Sequence, residues 1–130
     1  NGGDSSLVVE QLRRGVRSIA ATYGAFAAVK ANGSVVTWGN PSAGGDSSCV
    51  AGRLTAAAGV RQISASFACF AAVTGAGGVV TWGPRTNGGD SSAVEEELSS
   101  GVREVCATEC AFAAAKWDGS VVAWGLRSYG

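Results

Sequence analysis

The chain repeats one sequence unit three times. The pentapeptide Gly-Gly-Asp-Ser-Ser begins at positions 2, 44 and 88, and a Val-Val-x-Trp-Gly segment places a tryptophan at positions 38, 82 and 124. Repetition at intervals of 44 and 42 residues indicates a repeat architecture, in which each unit is one supersecondary structure that buries its apolar face against its neighbours. We therefore treat the 130 residues as one domain of three units, residues 1–43, 44–87 and 88–130.

A short capped helix is predicted at the start of each unit. Asp and Ser side chains accept hydrogen bonds from the free N–H groups of a helix N-terminus. Apolar residues then recur four positions apart, as at Val8 and Leu12, and a glycine follows where a helix would end in a left-handed residue. In the third unit, Ser92 followed by Glu95 matches a capping box. The predicted turn and capping residues are Asp4, Asp46, Asp90, Ser6, Ser48 and Ser92.

Three short strands are predicted after each helix. In the first unit they are residues 16–21, 25–30 and 34–38, and on the last of them Val36 and Trp38 share one face while Val35 and Thr37 take the other. The dipeptides at 32–33 and 118–119 are Asn-Gly and Asp-Gly, which predict two-residue primed turns between antiparallel strands. The recurring aromatic residues are predicted to form the core between the sheets. They are Phe26, Phe70, Phe112, Trp38, Trp82 and Trp124.

The recurring stretch Gly-Val-Arg-x-Ile-x-Ala, then Ala-Phe-Ala-Ala and Gly-x-Val-Val-x-Trp-Gly, resembles the repeat of the regulator of chromosome condensation family. In that family each repeat forms one blade of a β-propeller. The subtype with Gly-Gly-Asp-Ser-Ser and Ala-Phe-Ala-Ala is similar to repeat proteins that are abundant in dinoflagellates. The family's usual Gly-Gln-Leu-Gly loop after Trp-Gly and its second-strand His are missing here, so no residue for nucleotide exchange or chromatin contact carries over.

Taken with the repeat count, this resemblance gives the predicted fold class. The chain is expected to be mainly β, with three tandem blade-like units, each a short capped helix plus a three-stranded antiparallel sheet. Closed propellers usually have about 4–8 blades. Three units are expected to form an open arc or a pseudo-threefold prism, and the alternative is a fragment of a closed β-propeller.

Composition excludes several functions. The chain has no His, which removes imidazole-activated nucleophiles and His-ligated metals. Ten acidic and ten basic residues cancel, so the basic surface that nucleic-acid binding needs is missing. No apolar run is long enough to span a membrane. We expect no catalytic, cofactor or metal site, no enzyme activity, no nucleic-acid partner, and a soluble or peripheral location.

The cysteines do not recur in register, and three states stay open for them: free buried thiols, one disulfide, or a metal site. Cys106 and Cys110 would face one another across a tight hairpin, while Cys69 and Cys110 occupy nearly equivalent places in adjacent units. A disulfide is therefore expected to involve Cys69, Cys106 or Cys110. A zinc site built only from cysteines needs two closely spaced pairs, and here only one pair is close in sequence.

The third unit differs from the other two. Trp117 has no counterpart, because Ala31 and Gly75 occupy its position. Residues 88–130 carry seven acidic and three basic residues, a net charge of −4, whereas the first and second units each carry +2. An exposed aromatic residue beside polar ones is typical of an interface anchor. The predicted interface residues are Trp117, Glu95, Glu96 and Glu97.

These features predict a non-catalytic protein–protein interaction or scaffold module, an accessory subunit of a larger assembly whose partners are other proteins. The dinoflagellate subtype implies an organelle complex such as a photosystem. Peripheral attachment to a membrane complex at the chloroplast thylakoid surface is then the alternative location. The alternative function is guanine-nucleotide exchange or another regulatory role of a propeller-type protein.

Overall fold

A computed structural model describes residues 3–129, and within them nine β-strands form three separate antiparallel sheets. The strands are β1 Val16–Ala21, β2 Ala25–Lys30, β3 Val35–Gly39, β4 Gln62–Ala65, β5 Phe70–Val73, β6 Val79–Trp82, β7 Val102–Ala107, β8 Ala111–Lys116 and β9 Val121–Gly125. In each sheet the strands follow sequence order, so every unit is its own three-stranded meander. This confirms the prediction of a mainly β chain of three blade-like units. In the first unit, β1 and β2 have the predicted bounds and β3 lies one residue later.

The predicted helices are mostly single 3-10 turns. Among residues 3–129 the one α-helix is α1, Val9–Leu12, which spans four residues. The 3-10 segments are Ser6–Val8, Pro41–Ala43, Ser48–Arg53, Ala56–Ala58, Arg85–Asn87, Ser92–Val94 and Arg127–Tyr129. Starting a helix fixes several residues for one hydrogen bond, and segments this short between two turns gain too few bonds to extend into an α-helix.

The predicted capping residues hold the turn that precedes each 3-10 segment. Asp90 Oδ1 accepts a hydrogen bond from Ser92 N at 3.0 Å, and the same bond recurs from Ser6 to Asp4 at 3.0 Å and from Ser48 to Asp46 at 2.9 Å. The aspartates therefore hold a turn, and the serines supply its N–H group. The capping box is wrong, because the Ser92 hydroxyl donates to Asp90 at 2.6 Å and does not accept from the backbone of the turn.

The hairpin turns between the second and third strands also differ from the prediction. Lys30 N donates to Ser34 O at 2.8 Å, which leaves a loop of three residues, and Gly33 alone adopts a positive φ, of 86°. Asn32 keeps a negative φ because its Oδ1 accepts from Ser34 N at 3.0 Å. This is the three-residue loop closed by a left-handed glycine, so the two-residue primed turn is wrong. Equivalent bonds from Thr74 and from Lys116 close the other two loops.

The core lies between the sheets. We call the face of each sheet that carries the Phe–Trp pair its front face and the opposite face its back face. The back face of the first unit packs against the front face of the second, with Ala27 and Val29 against Phe70 and Trp82. The back face of the second unit packs against the front face of the third. Neither cluster joins the first unit to the third, so the sheets stack as an open arc and not as a closed prism.

Candidate interaction surface

The recurring aromatic residues occupy the front faces as stacked pairs. Cross-strand pairing sets Phe70 opposite Trp82 in the second unit, with ring centroids 5.3 Å apart, and the pairs of the other units lie at 5.3 and 5.4 Å. Trp82 Nε1 donates to Gly44 O at 3.0 Å. Both rings of the second unit are buried, as are those of the third, whereas Phe26 and Trp38 are half-buried. The buried pairs fill the space between sheets and leave no face for a flat ligand.

Trp117 lies at the hairpin tip between β8 and β9, with 69% of its surface exposed. Its backbone N donates to Gly101 O at 3.0 Å, which fixes the tip against the start of β7. The guanidinium of Arg103 stands 5.8 Å from the centre of the indole ring, a cation–π distance. One face of the ring is therefore supported by the protein, and the rest is open to solvent.

One residue of the acidic segment, Glu97, is linked to this tip through Lys116, which precedes Trp117 in the chain. Glu95, Glu96 and Glu97 are all exposed, and the ammonium group of Lys116 donates to Glu97 O at 2.6 Å. All four residues predicted as an interface are exposed, and we call them the rim patch: Trp117, Glu95, Glu96 and Glu97. Asp118 adds a further charge, because hydrogen bonds from the Ser120 side chain and backbone lower the pKa of its carboxyl group.

All four cysteines lie in the described part of the chain, and all are free thiols. Cys106 is exposed on β7 and pairs across the sheet with Ala113, whereas Cys110 is buried in the following turn. The two therefore do not face one another, and of the three states left open for the cysteines the structure has free thiols, of which Cys69 and Cys110 are buried. Cys69 is buried too, its Sγ donates to Pro84 O at 3.0 Å, and burial raises the pKa of its thiol to about 11.

A cleft of about 360 Å³ lies between the second and third units, lined by Arg53, Asp90 and Glu95 among others. Hydrogen bonds from the Ser92 side chain and backbone and from Arg85 lower the pKa of Asp90 to about 2. A general acid needs a raised carboxyl pKa, so Asp90 is suited to holding a turn and not to proton transfer. Among residues 3–129, no three His, Cys, Asp or Glu side chains cluster as metal ligands.

Sequence reasoning missed one exposed aromatic pair. Tyr23 and Phe67 occupy equivalent turns of the first and second units, and their rings stack 4.6 Å apart. Tyr23 N donates to Phe67 O at 3.0 Å, and Phe67 N donates to Glu109 O at 2.8 Å. These turns join the first and second strands, so they lie at the opposite end of the sheets from Trp117. Two aromatic residues at one repeat position would have been the signal.

No family model and no curated protein sequence matches the chain. Solved structures do match it. Human WBSCR16 is 22% identical with a TM-score of 0.59, and the match covers 85% of this chain and 34% of that one. Prp20p of Saccharomyces cerevisiae, described with its binding properties to Gsp1p and histones, is 18% identical with a TM-score of 0.63, over 85% of this chain and 31% of that one.

The ectodomain of the Arabidopsis thaliana receptor kinase ACR4 is 16% identical with a TM-score of 0.60, over 88% of this chain and 38% of that one. The chain thus spans about a third of the length of the structures it matches. These neighbours include β-propellers similar to the regulator of chromosome condensation, RCC1, which is the yeast protein Prp20. Their structures confirm the blade-like architecture. The dinoflagellate subtype stays a prediction. No helix within residues 3–129 has the length and hydropathy to cross a membrane.

Proposed function

We propose that this chain is a non-catalytic protein-interaction module that holds a partner protein through the rim patch. One observation carries the proposal: Trp117, 69% exposed, and three exposed glutamates all belong to the unit whose charge is −4. The other two units have Ala31 and Gly75 at this position and a positive charge. The likeness to Prp20p, a protein whose binding to Gsp1p and histones is described, supports a protein partner.

The geometry of the rim patch defines the chemistry of that partner. An indole held by Arg103 and by its backbone bond to Gly101 loses little freedom when it enters a pocket, and such aromatic anchors dominate binding energy. The exposed glutamates of the same unit orient a basic surface and speed its approach. The partner is therefore a protein with an apolar pocket flanked by lysine or arginine side chains.

The module acts as an accessory subunit of a larger assembly. A dinoflagellate organelle complex such as a photosystem, with peripheral attachment at the chloroplast thylakoid surface, is its proposed setting, and the repeat subtype is the feature that supports it. A non-catalytic role is supported by the lack of His and by the ionised, turn-holding state of Asp90.

The test of binding is capture from extracts of the native organism with the wild-type chain and two variants, Trp117→Ala and Glu95→Gln/Glu96→Gln/Glu97→Gln. Loss of a hot-spot tryptophan should lower recovery of the partner at least about tenfold. The glutamine variant should bind more weakly at low salt and lose the salt dependence of the wild type. Tyr23→Ala is the matched control, since it removes an exposed aromatic residue from the opposite end of the sheets.

Equal recovery of one partner by all variants across a salt series would reject the rim patch as the interface. Melting curves must show that each variant is folded. The same protein, added to a small GTPase loaded with labelled guanine nucleotide, is expected to leave the rate of nucleotide release unchanged. A faster release would favour the alternative regulatory function.

A further inference from the structure

Each end of the stack exposes an apolar residue whose equivalent is buried at a junction inside the chain. At the front face of the first unit, Ile19 is 59% exposed, whereas its equivalent Val105 in the third unit is 1% exposed. At the back face of the third unit, Val121 is 67% exposed, whereas its equivalent Val79 in the second unit is 5% exposed. Each end therefore presents a surface equivalent to one side of an internal junction, and the two ends present opposite sides.

The backbone groups at these ends are complementary in the same way. At each internal junction two hydrogen bonds recur: Val60 N to Gly33 O at 2.9 Å and Val35 N to Leu54 O at 3.0 Å in the first junction. In the second, Val102 N to Gly77 O and Val79 N to Leu98 O are both 2.9 Å. The equivalent groups are Gly119 O and Val121 N at the back end, and Val16 N and Leu12 O at the front end.

An arginine crosses each internal junction as well. Arg17 Nη2 donates to Val60 O at 3.0 Å, and Arg61 Nη2 donates to Val102 O at 2.6 Å. Arg103 is the third member of this series and lies at the back end, while Val16 O is the equivalent acceptor at the front end. The two ends thus hold a matching donor and acceptor for the third bond of a junction.

Charge favours one orientation of the ends. The first unit carries +2 and the third carries −4, so a front end attracts a back end, whereas two back ends or two front ends repel one another. Such a field orients association and excludes like-charged pairings.

We propose that the back face of the third unit binds the front face of the first unit of a second copy of this chain, head to tail, and repeats the internal junction. A contact of this kind joins different surfaces of the two copies, so it builds a ring or an open series. The proposal shares Arg103 with the support of the Trp117 ring but uses none of the four residues of the rim patch. Ala31 and Gly75, the equivalents of Trp117, stay exposed at the internal junctions, so the rim patch stays free when the ends are joined.

The test is a measurement of molar mass over a concentration series, with the wild type, Ile19→Asp and Val121→Asp. The wild type should exceed its monomer mass of 12.9 kDa at high concentration. Each variant alone should stay monomeric, because each has lost one of the two ends. Mixed together they should form a one-to-one pair, since Ile19→Asp keeps an intact back end and Val121→Asp an intact front end. Higher salt should weaken both associations.

Trp117→Ala is the control and should associate like the wild type, which separates this contact from binding through the rim patch. Circular dichroism must show that both Asp variants are folded, and Ile19→Thr replaces the first variant if the strand is weakened. A wild type that stays monomeric at every concentration would overturn the proposal. Self-association of either folded variant, or a mixture that does not pair, would overturn it too.

Discussion

At the scale of single residues, Trp82 shows how one side chain holds a unit to its neighbour. Its ring stacks on Phe70 and packs against Ala27 and Val29 of the first unit, and its indole N–H donates to Gly44 O at the start of its own unit. Truncation to Ala removes a buried aromatic ring and leaves a carbonyl without its donor. We expect Trp82→Ala to lower the free energy of unfolding by about 3–5 kcal/mol, measured by chemical denaturation.

Trp38 is the matched control for that experiment. It makes the equivalent stack with Phe26 but is only half-buried, because no described sheet covers the front face of the first unit. Trp38→Ala should therefore cost clearly less than Trp82→Ala. Equal losses, or a loss below about 1 kcal/mol for Trp82→Ala, would contradict the role of these rings in the inter-sheet core.

Asp90 predicts a pH dependence of stability. Hydrogen bonds from Ser92 and from Arg85 lower the pKa of its carboxyl to about 2, below the value of about 3.9 in an unfolded chain. The folded state then binds fewer protons, so the stabilisation is complete above about pH 4 and is lost as the pH falls through about 2. Asp90→Asn should destabilise the protein at pH 6, and the difference from wild type should vanish towards pH 2.

A direct measurement of this titration is the carboxyl carbon NMR shift. Asp46 is the comparison, since it accepts the same bond from Ser48 but has Pro41 where the third unit has Arg85. Asp90 should titrate at a lower pH than Asp46. The reverse order would mean that the Arg85 contact contributes nothing in solution.

At the scale of elements, the hairpin loops bring two units together. A Cβ added to Gly77 would lie 2.9 Å from Gly101 N of the third unit, whereas a Cβ added to Gly119 would meet nothing within 4 Å. Both glycines have a positive φ, 82° and 90°. Gly119→Ala should cost about 1–2 kcal/mol for the left-handed backbone alone, and Gly77→Ala should cost more, because the second junction must also open. Urea denaturation of both variants separates the clash from the backbone cost, and equal losses would show that the junction yields freely.

The strands were predictable and the connections between them were not. Alternation places Ala25, Ala27 and Val29 on one face of β2 and Phe26 on the other, and the three copies repeat this pattern. The sequence does not decide between the two-residue and the three-residue turn. Asn32 can adopt a left-handed backbone, but in the structure its side chain accepts from Ser34 N and the glycine alone becomes left-handed. The prediction of a helix in each unit was mostly wrong, because two apolar residues four positions apart indicate which face of a helix is buried but not how long the helix is.

The candidate site divides in the same way. Trp117 could be found because it breaks the repeat at a turn, where side chains are exposed. The cysteines could not be placed, because Cys106 and Cys110 are four residues apart in sequence yet one is exposed and the other buried. The exposure of the end faces could not be predicted from the sequence either. Ile19 and Ile63 occupy the same repeat position, and their exposure differs because the first unit covers Ile63.

At the scale of the whole molecule, the three units form a series in which a buried cluster joins each sheet to the next. Stability of such arrays is approximately a sum of unit and junction contributions. The middle sheet has a neighbour on both faces, and all four residues of β5 are fully buried. The outer sheets have a neighbour on one face. Opening the middle sheet requires both junctions to separate, whereas either outer sheet opens when one does.

Amide hydrogen exchange should therefore be slowest in β5. The matched comparison is with β2 and β8, the central strands of the outer sheets. Like β5, each of them is hydrogen-bonded to one strand on either side. Their amides should exchange faster, because their units open locally at a lower free energy. If the ends of two copies bind head to tail, protection in β1 and β9 should rise with protein concentration while that in β5 stays constant. Equal protection of β2, β5 and β8 at low concentration would mean that the three units unfold in one cooperative step and that the junctions outweigh the units.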